Sequence, residues 1–64
     1  LPKDETAHII LGNAYFGKKQ YENALKEFSS VIKIDKDNKF AKQWIRYVTI
    51  EKKKQEAFIA FINN

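Results

Sequence analysis

His8 is the one histidine of this sequence and the residue best suited to acid–base chemistry. A catalytic histidine needs a nucleophile to activate and a carboxylate to orient it. No such set is recognisable around His8, and the acidic residues are scattered rather than paired as two-carboxylate catalysis requires. We therefore expect no catalytic residues and no enzymatic activity, and we interpret His8 as a packed or half-buried side chain.

Metal and cofactor sites are not expected either. The sequence contains no cysteine, which excludes disulfides and thiolate metal sites, and a single histidine excludes a multi-histidine metal site. No glycine-rich phosphate-binding loop is present. The remaining function classes are binding to proteins, to nucleic acids or to a membrane surface.

The length of 64 residues predicts one small domain, residues 1–64. A chain this short buries only roughly 60% of its unfolded surface, so it is marginally stable alone. We expect either oligomerisation, with a homodimer favoured, or a piece of a longer protein. No signal peptide and no apolar run of about 18 residues are present, which leaves the compartment open with the cytoplasm slightly favoured.

The net charge of +4 comes from 12 Lys and Arg against 8 Asp and Glu, with one cluster at 52–54. A nucleic-acid footprint requires a denser basic stripe, so a nucleic-acid partner is not expected. Lysines beside an apolar end can also hold a helix at a lipid surface. Because Glu51 and Glu56 flank the cluster and the apolar part is short, a membrane partner is not expected.

Three helices are predicted from the spacing of apolar residues. The first, over residues 4–18, has Asp4 as N-cap after Pro2 and a face formed by Ala7, Leu11, Ala14 and Tyr15. The second, over residues 21–34, carries the stripe Tyr21, Ala24, Leu25, Phe28, Val31 and Ile32. The third, over residues 39–62, contains neither glycine nor proline. The fold class is therefore all-α, a helical hairpin followed by a long third helix.

The third helix is too long for the hairpin. At 1.5 Å per residue it measures roughly 36 Å, and each hairpin helix roughly 21 Å. Its first half covers the second helix through the face Phe40, Ala41, Trp44, Ile45 and Val48. Residues 51–56 are polar all round and residues 57–62 are apolar all round. An end that is apolar on every side requires burial that the hairpin does not provide.

Residues 5–38 resemble one tetratricopeptide repeat, a helix–turn–helix unit of about 34 residues. The resemblance is carried by a small residue and a Leu-Gly pair in the first helix, by aromatic and small residues of both helices, and by polar loop residues: Ala7, Leu11, Gly12, Tyr15, Tyr21, Ala24, Phe28, Asp35 and Asn38. It implies that Gly12 faces Ala24. It also implies a protein-interaction function and an all-α superhelical fold.

Several positions depart from the family pattern. His8 stands where a tryptophan is common, and Lys19 replaces a frequent turn glycine, for which Gly17 is expected to compensate. Val31 replaces a small residue, and Lys36 replaces a proline.

Residues 39–62 start like another repeat, but Arg46 stands at the small contact position. We therefore interpret this segment as a terminal capping helix, as repeat arrays require.

The resemblance also implies a concave peptide groove. Its residues are Thr6, Ile9, Asn13 and Phe16 from the first helix and Phe40, Gln43, Tyr47 and Ile50 from the third. Asn13 matches a carboxylate-gripping asparagine of some family members, but Ile9 stands at the position of the matching lysine. This groove suits an apolar helix better than a charged chain end. Contact with a neighbouring subunit or repeat explains the same residues equally well.

Two function hypotheses follow. In the first, the chain self-associates through the apolar end of the third helix, with Phe58, Ile59, Phe61 and Ile62 as the contacting residues. In the second, the groove binds a peptide or helix of a different protein. A basic nucleic-acid or membrane-surface binder is a third and weaker hypothesis, which predicts steep salt dependence through the lysines at 52–54.

Overall fold

The computed structural model describes residues 3–64, all of whose regular elements are helices: α1 (Lys3–Gly17), α2 (Tyr21–Ile34) and α3 (Lys39–Asn63). α1 packs on α2 and α2 packs on α3, with no strand in the described range. The predicted all-α fold is confirmed. Asp4, predicted as the N-cap, instead lies inside the first turn of α1. Pro2, predicted to precede this helix, lies outside the described residues.

The turn between α1 and α2 depends on Lys19, whose backbone is left-handed with φ of 62°. Its N–H donates to the carbonyl of Phe16 at 2.9 Å, and the Gln20 N–H donates to that of Tyr15 at 2.9 Å. These two bonds form a Schellman motif, in which glycine is the usual left-handed residue. The expectation that Gly17 compensates is wrong, because Gly17 is helical and has no positive φ.

Phe28 occupies the centre of the fold and is completely buried. Its ring stacks on Trp44, with centroids 5.6 Å apart and planes 11° from parallel. On its other side the ring covers Gly12, where an added Cβ would lie 2.7 Å from Phe28 Cζ. Gly12 is therefore fitted against the ring of Phe28, and the absence of a side chain there lets α1 and α2 approach closely.

The buried face of α1 agrees with the predicted one only at Tyr15, which packs against the core. Ile9, Gly12 and Phe16 face the other helices, whereas Ala7, Leu11 and Ala14 are exposed, Leu11 to 46%. α1 is apolar on both sides, so the spacing of its apolar residues does not decide which side is buried. The close fit between Gly12 and the aromatic ring decides it. The outer side of α1 is left as an apolar surface.

α3 begins with a side-chain cap, and its C-terminal end is exposed to solvent. The Ala41 N–H donates to Asn38 Oδ1 at 2.9 Å, which fixes the start of the helix. The core face of α3 is formed by Ala41 and Val48, both fully buried, with Trp44 and Ile45 beside them. From residue 56 to the end every residue is exposed. The molecule is consequently elongated, measuring 46 × 19 × 13 Å.

Candidate interaction surfaces

The residues of α1 predicted to line a groove lie in different environments. Thr6 and Asn13 are exposed and accessible to a ligand. Ile9 is only 9% exposed and packs in the core against residues of α2 and α3. Phe16 is half-buried among the aromatic rings. Ile9 therefore has little surface to offer a peptide, because α1 uses this side to complete the core.

The groove residues of α3 remain open. Phe40 and Tyr47 are each about half exposed, at 50% and 48%, and Gln43 is exposed between them. The Phe16 ring lies 5.4 Å from Trp44 and 5.3 Å from Tyr47, so aromatic rings form one wall. Gln43, Trp44 and Tyr47 line a depression of about 300 Å³. The accessible part of the predicted groove is thus mainly the surface of α3.

The apolar end of α3 is the largest exposed apolar feature of that helix. The exposed fractions of its four large side chains are 63% for Phe58, 45% for Ile59, 78% for Phe61 and 58% for Ile62. Phe58 and Ile59 border a depression of about 420 Å³ that Tyr21 helps to line. The residues predicted to mediate self-association are therefore all available for contact.

An ion pair marks where α3 leaves the hairpin. Lys52 Nζ lies 3.3 Å from Glu22 Oε1, at the second residue of α2. The eight residues 56–63 extend beyond this level, which is a helical length of about 12 Å. We call this segment the overhang. Because α1 ends and α2 begins near this level, the overhang meets the hairpin only around Tyr21, and all of its residues are exposed.

His8 has a partner that the sequence did not reveal. Its Nδ1 lies 2.8 Å from Oε1 of Glu27, and both side chains are partly buried between α1 and α2. The pair joins the two helices of the hairpin. Ser30, one turn along α2, donates its hydroxyl to the carbonyl of Lys26 at 3.0 Å. The interpretation of His8 as half-buried is confirmed, and the arrangement is that of a structural contact.

Glu27 was missed because it is nineteen residues from His8 in sequence. The available signal was the register of an antiparallel hairpin, which brings the middle of one helix beside the middle of the next.

Glu5 is a second acidic residue enclosed by the fold, at 3% exposed, and its Oε2 has no hydrogen-bond donor among residues 3–64. Within that range no group of three or more potential metal ligands exists.

The lysine cluster at 52–54 is partly neutralised. Lys52 pairs with Glu22, and Lys54 Nζ lies 3.8 Å from Oε1 of Glu51. Two of the three positive charges therefore lie beside carboxylates, which weakens the local attraction for phosphate or anionic lipid. None of the helices described within residues 3–64 is sufficiently long and apolar to span a bilayer.

No family model matches this chain, and no curated protein or solved structure has significant similarity to it. The structure itself shows a small three-helix all-α domain. Large apolar side chains are exposed on the overhang and on the aromatic surface of α3.

Proposed function

We propose that this chain is a non-catalytic protein-interaction module of tetratricopeptide-repeat type that self-associates through the apolar end of α3. The observation that carries this proposal is the exposure of Phe58 and Phe61, which are 63% and 78% accessible at the end of an otherwise regular helix. Large aromatic side chains contribute most of the free energy at many protein interfaces. Their exposure in a small soluble unit is explained when a second surface covers them.

The repeat assignment is supported by local geometry. Gly12 lies against the Phe28 ring, and Ala24 is fully buried in the same cluster as Phe28. The hairpin turn is tight, and α3 follows α2 after a short loop closed by Asn38. Gly12, Ala24, Phe28 and Asn38 are among the residues that carry the resemblance to a tetratricopeptide repeat, whereas Lys19 in the turn departs from it. Arg46, at the position where a further helix would need a small residue, is exposed.

The total surface area supports association quantitatively. A compact monomer of 7.5 kDa is expected to expose about 4,250 Å², whereas this chain exposes 4916 Å². The excess of roughly 670 Å² reflects the elongated shape, which leaves more surface open to contact than a compact fold of this mass would. The radius of gyration, 12.9 Å, likewise exceeds the value of about 10.7 Å expected for a compact chain of this length.

The energy available from the overhang is large for so small a fold. Full burial of Phe58, Ile59, Phe61 and Ile62 contributes about 1.5–3 kcal/mol for each side chain before ordering costs are subtracted. Small domains have total stabilities of only about 5–15 kcal/mol. Association through these residues would therefore change stability as well as mass, so that unfolding and dissociation are coupled.

Light scattering over a protein concentration series, with circular dichroism on the same samples, tests this proposal. The native chain should reach twice its 7.5 kDa mass while remaining helical. Phe58→Asp should shift the series towards monomer. Ile10→Asp is the matched control, because Ile10 is exposed to 62% and Phe58 to 63%, but Ile10 lies on the outer side of α1. A folded chain that stays monomeric at every concentration would exclude self-association.

A second candidate function is recognition of a helix from a different protein by the aromatic surface of α3. The depression beside Gln43 and Tyr47 favours it. Tyr47→Ala should then reduce binding of partner proteins in pull-down experiments, whereas Ile62→Asp should not. Phe16 is a poor choice for this test, because its ring packs among Tyr21, Trp44 and Tyr47 and its loss would disturb the fold.

A further inference from the structure

The outward face of α3 carries an apolar stripe along nearly the whole helix. Its apolar members are Phe40, Tyr47, Ile50, Ala57 and Phe61, and all five are exposed. With Gln43 and Lys54 included, the spacing alternates between three and four residues, which is the repeat of a helix that packs lengthwise against another helix. From its first residue to its last, the stripe is roughly 32 Å long.

The exposed side of α3 next to this stripe is different in character. Lys42, Arg46 and Lys53 lie there, and all three are exposed. The solvent-facing surface of α3 is therefore divided into a charged side and an apolar side. A helix that faced only water would have no reason to separate these residues, so the apolar side is expected to have a partner.

We propose that a second copy of this chain packs its α3 antiparallel along this stripe, with the two-fold axis near residues 50 and 51. This inference rests on the proposed self-association and names the surface that receives the overhang. In this register the partner's Phe61 faces Phe40, and the two Ile50 side chains meet near the axis. A two-fold interface of this kind uses the same patch on both chains.

Lys54, whose Nζ lies 3.8 Å from Oε1 of Glu51 in the same chain, keeps part of its charge, and that charge favours one direction of the two helices. In a parallel pair Lys54 of one chain would lie beside the partner's Lys54. In the antiparallel pair the two lysines are seven residues apart along the axis, about 10 Å, which is close to the screening length at moderate salt. Each Lys54 then lies over the partner's Tyr47, whose half-exposed ring can accept a cation.

The core of each hairpin does not obstruct this pairing. α3 contacts α2 through Ala41 and Val48, which lie on the side of the helix away from the stripe. The two hairpins therefore lie on the outer sides of the paired helices. The overhang of each chain runs beside the start of the partner's α3, where Phe40 is exposed, and the exposed Tyr47 lies opposite the partner's Lys54. The contact covers Phe61 of the overhang, whereas Phe58, Ile59 and Ile62 lie outside the stripe.

Cysteine cross-linking tests the register directly, because the native chain contains no cysteine. Ile50→Cys alone should form a disulfide-linked dimer. A mixture of Phe40→Cys and isotopically heavy Phe61→Cys chains should give the mixed disulfide in several-fold excess over like pairs by mass spectrometry. Lys53→Cys, on the charged side of α3, is the control that should not cross-link. All four positions are exposed, so the fold should survive.

The outcomes separate this inference from the proposal on which it rests. If Phe61→Cys links to itself as readily as to Phe40→Cys, the helices are parallel and the register is wrong, although self-association stands. If Phe61→Cys links instead to Leu11→Cys, the overhang covers the outer side of α1 and the stripe is not the interface. If no variant dimerises in light scattering, both the inference and the proposed self-association fall.

The lysine gives an independent measurement of direction. Lys54→Glu should weaken dimerisation several-fold by removing the contact with the partner's Tyr47. Lys53→Glu makes the same change of charge one residue away, on the charged side, and should leave dimerisation nearly unchanged. Equal effects of the two variants would show that net charge alone governs association, and would contradict the antiparallel register.

Discussion

Replacement of Gly12 by alanine tests how tightly the two hairpin helices are packed. A Cβ at this position would lie 2.7, 2.8 and 2.9 Å from Cζ, Cε1 and Cε2 of Phe28. The ring has little freedom to move, because it is completely buried and stacked on Trp44. The two helices must therefore separate or the stack must break.

The expected magnitude follows from two opposing effects. Overpacking a closed core costs about 1–3 kcal/mol. Alanine is also a better helix former than glycine by about 0.8–1 kcal/mol, which offsets part of that loss. Because all three contacts fall below 3.0 Å, the steric effect should dominate, and we expect a net loss of about 1–2 kcal/mol.

Urea unfolding at fixed protein concentration measures this change, followed by circular dichroism and by the fluorescence of Trp44. Gly17→Ala is the matched control, since Gly17 is helical and an added Cβ meets nothing within 4 Å. It should leave stability unchanged or raise it slightly. A second variant, Gly12→Ala combined with Phe28→Leu, should recover part of the steric loss. A Gly12→Ala chain as stable as the Gly17→Ala chain would refute the close-packing explanation.

Three further substitutions probe local features of the fold. Lys19→Gly should stabilise the chain by about 0.5–1 kcal/mol in thermal unfolding, because it relieves the left-handed strain, whereas Lys18→Gly should destabilise it. Asn38→Ala should cost about 1–2 kcal/mol by removing the cap of α3, with Asn38→Asp retaining it, and an unchanged melting temperature would argue against the cap. Glu27→Ala should cost about 0.5–1.5 kcal/mol through loss of the contact with His8, and Glu27→Gln less; equal stability of all three chains would show that this contact contributes nothing.

The positions of the helices could be predicted from local chemistry. The turn at Lys18–Gln20 and the polar loop that ends at Asn38 interrupt the apolar pattern, and residues 39–62 contain no helix breaker. Both loops fall where they were predicted, within one residue at each helix end. The exposed end of α3 was also predictable, because a length difference between helices can be read from the spacing of their breakers.

The buried side of α1 could not be predicted in the same way. Ile9 and Phe16 lie on one side, and Ala7, Leu11 and Ala14 on the other, so either side could have packed. The choice depends on contacts between helices. The turn brings Phe16 to within 5.7 Å of the Tyr21 ring. The close fit between Gly12 and the Phe28 ring then selects the side of Ile9 and Phe16, and the spacing of apolar residues along α1 does not reveal that fit.

The sequence predicted two candidate surfaces on the third helix but did not show how they are related in space. Phe40 and Tyr47 were assigned to a groove, and Phe61 to self-association, as though they were separate sites. In α3 they lie on one exposed face and follow one helical repeat, because twenty-one residues make six turns of a helix with a 3.5-residue period. The sequence predicted a continuous helix. It did not show which residues in the first half of that helix the hairpin covers, so it could not show that the two sites lie on the same exposed face.

The two function hypotheses therefore compete for the same surface. If the partner's α3 covers Tyr47, a helix from another protein binds only after the dimer opens there, so its apparent affinity falls as the concentration of this chain rises. The dependence is reciprocal, because a ligand that prefers the open chain must also promote dissociation to the same extent. Self-association and recognition of a second protein would then be linked equilibria on one face of α3, and a substitution such as Tyr47→Ala would alter both. Phe61→Asp, outside the depression lined by Gln43, Trp44 and Tyr47, would weaken the first while making the second easier.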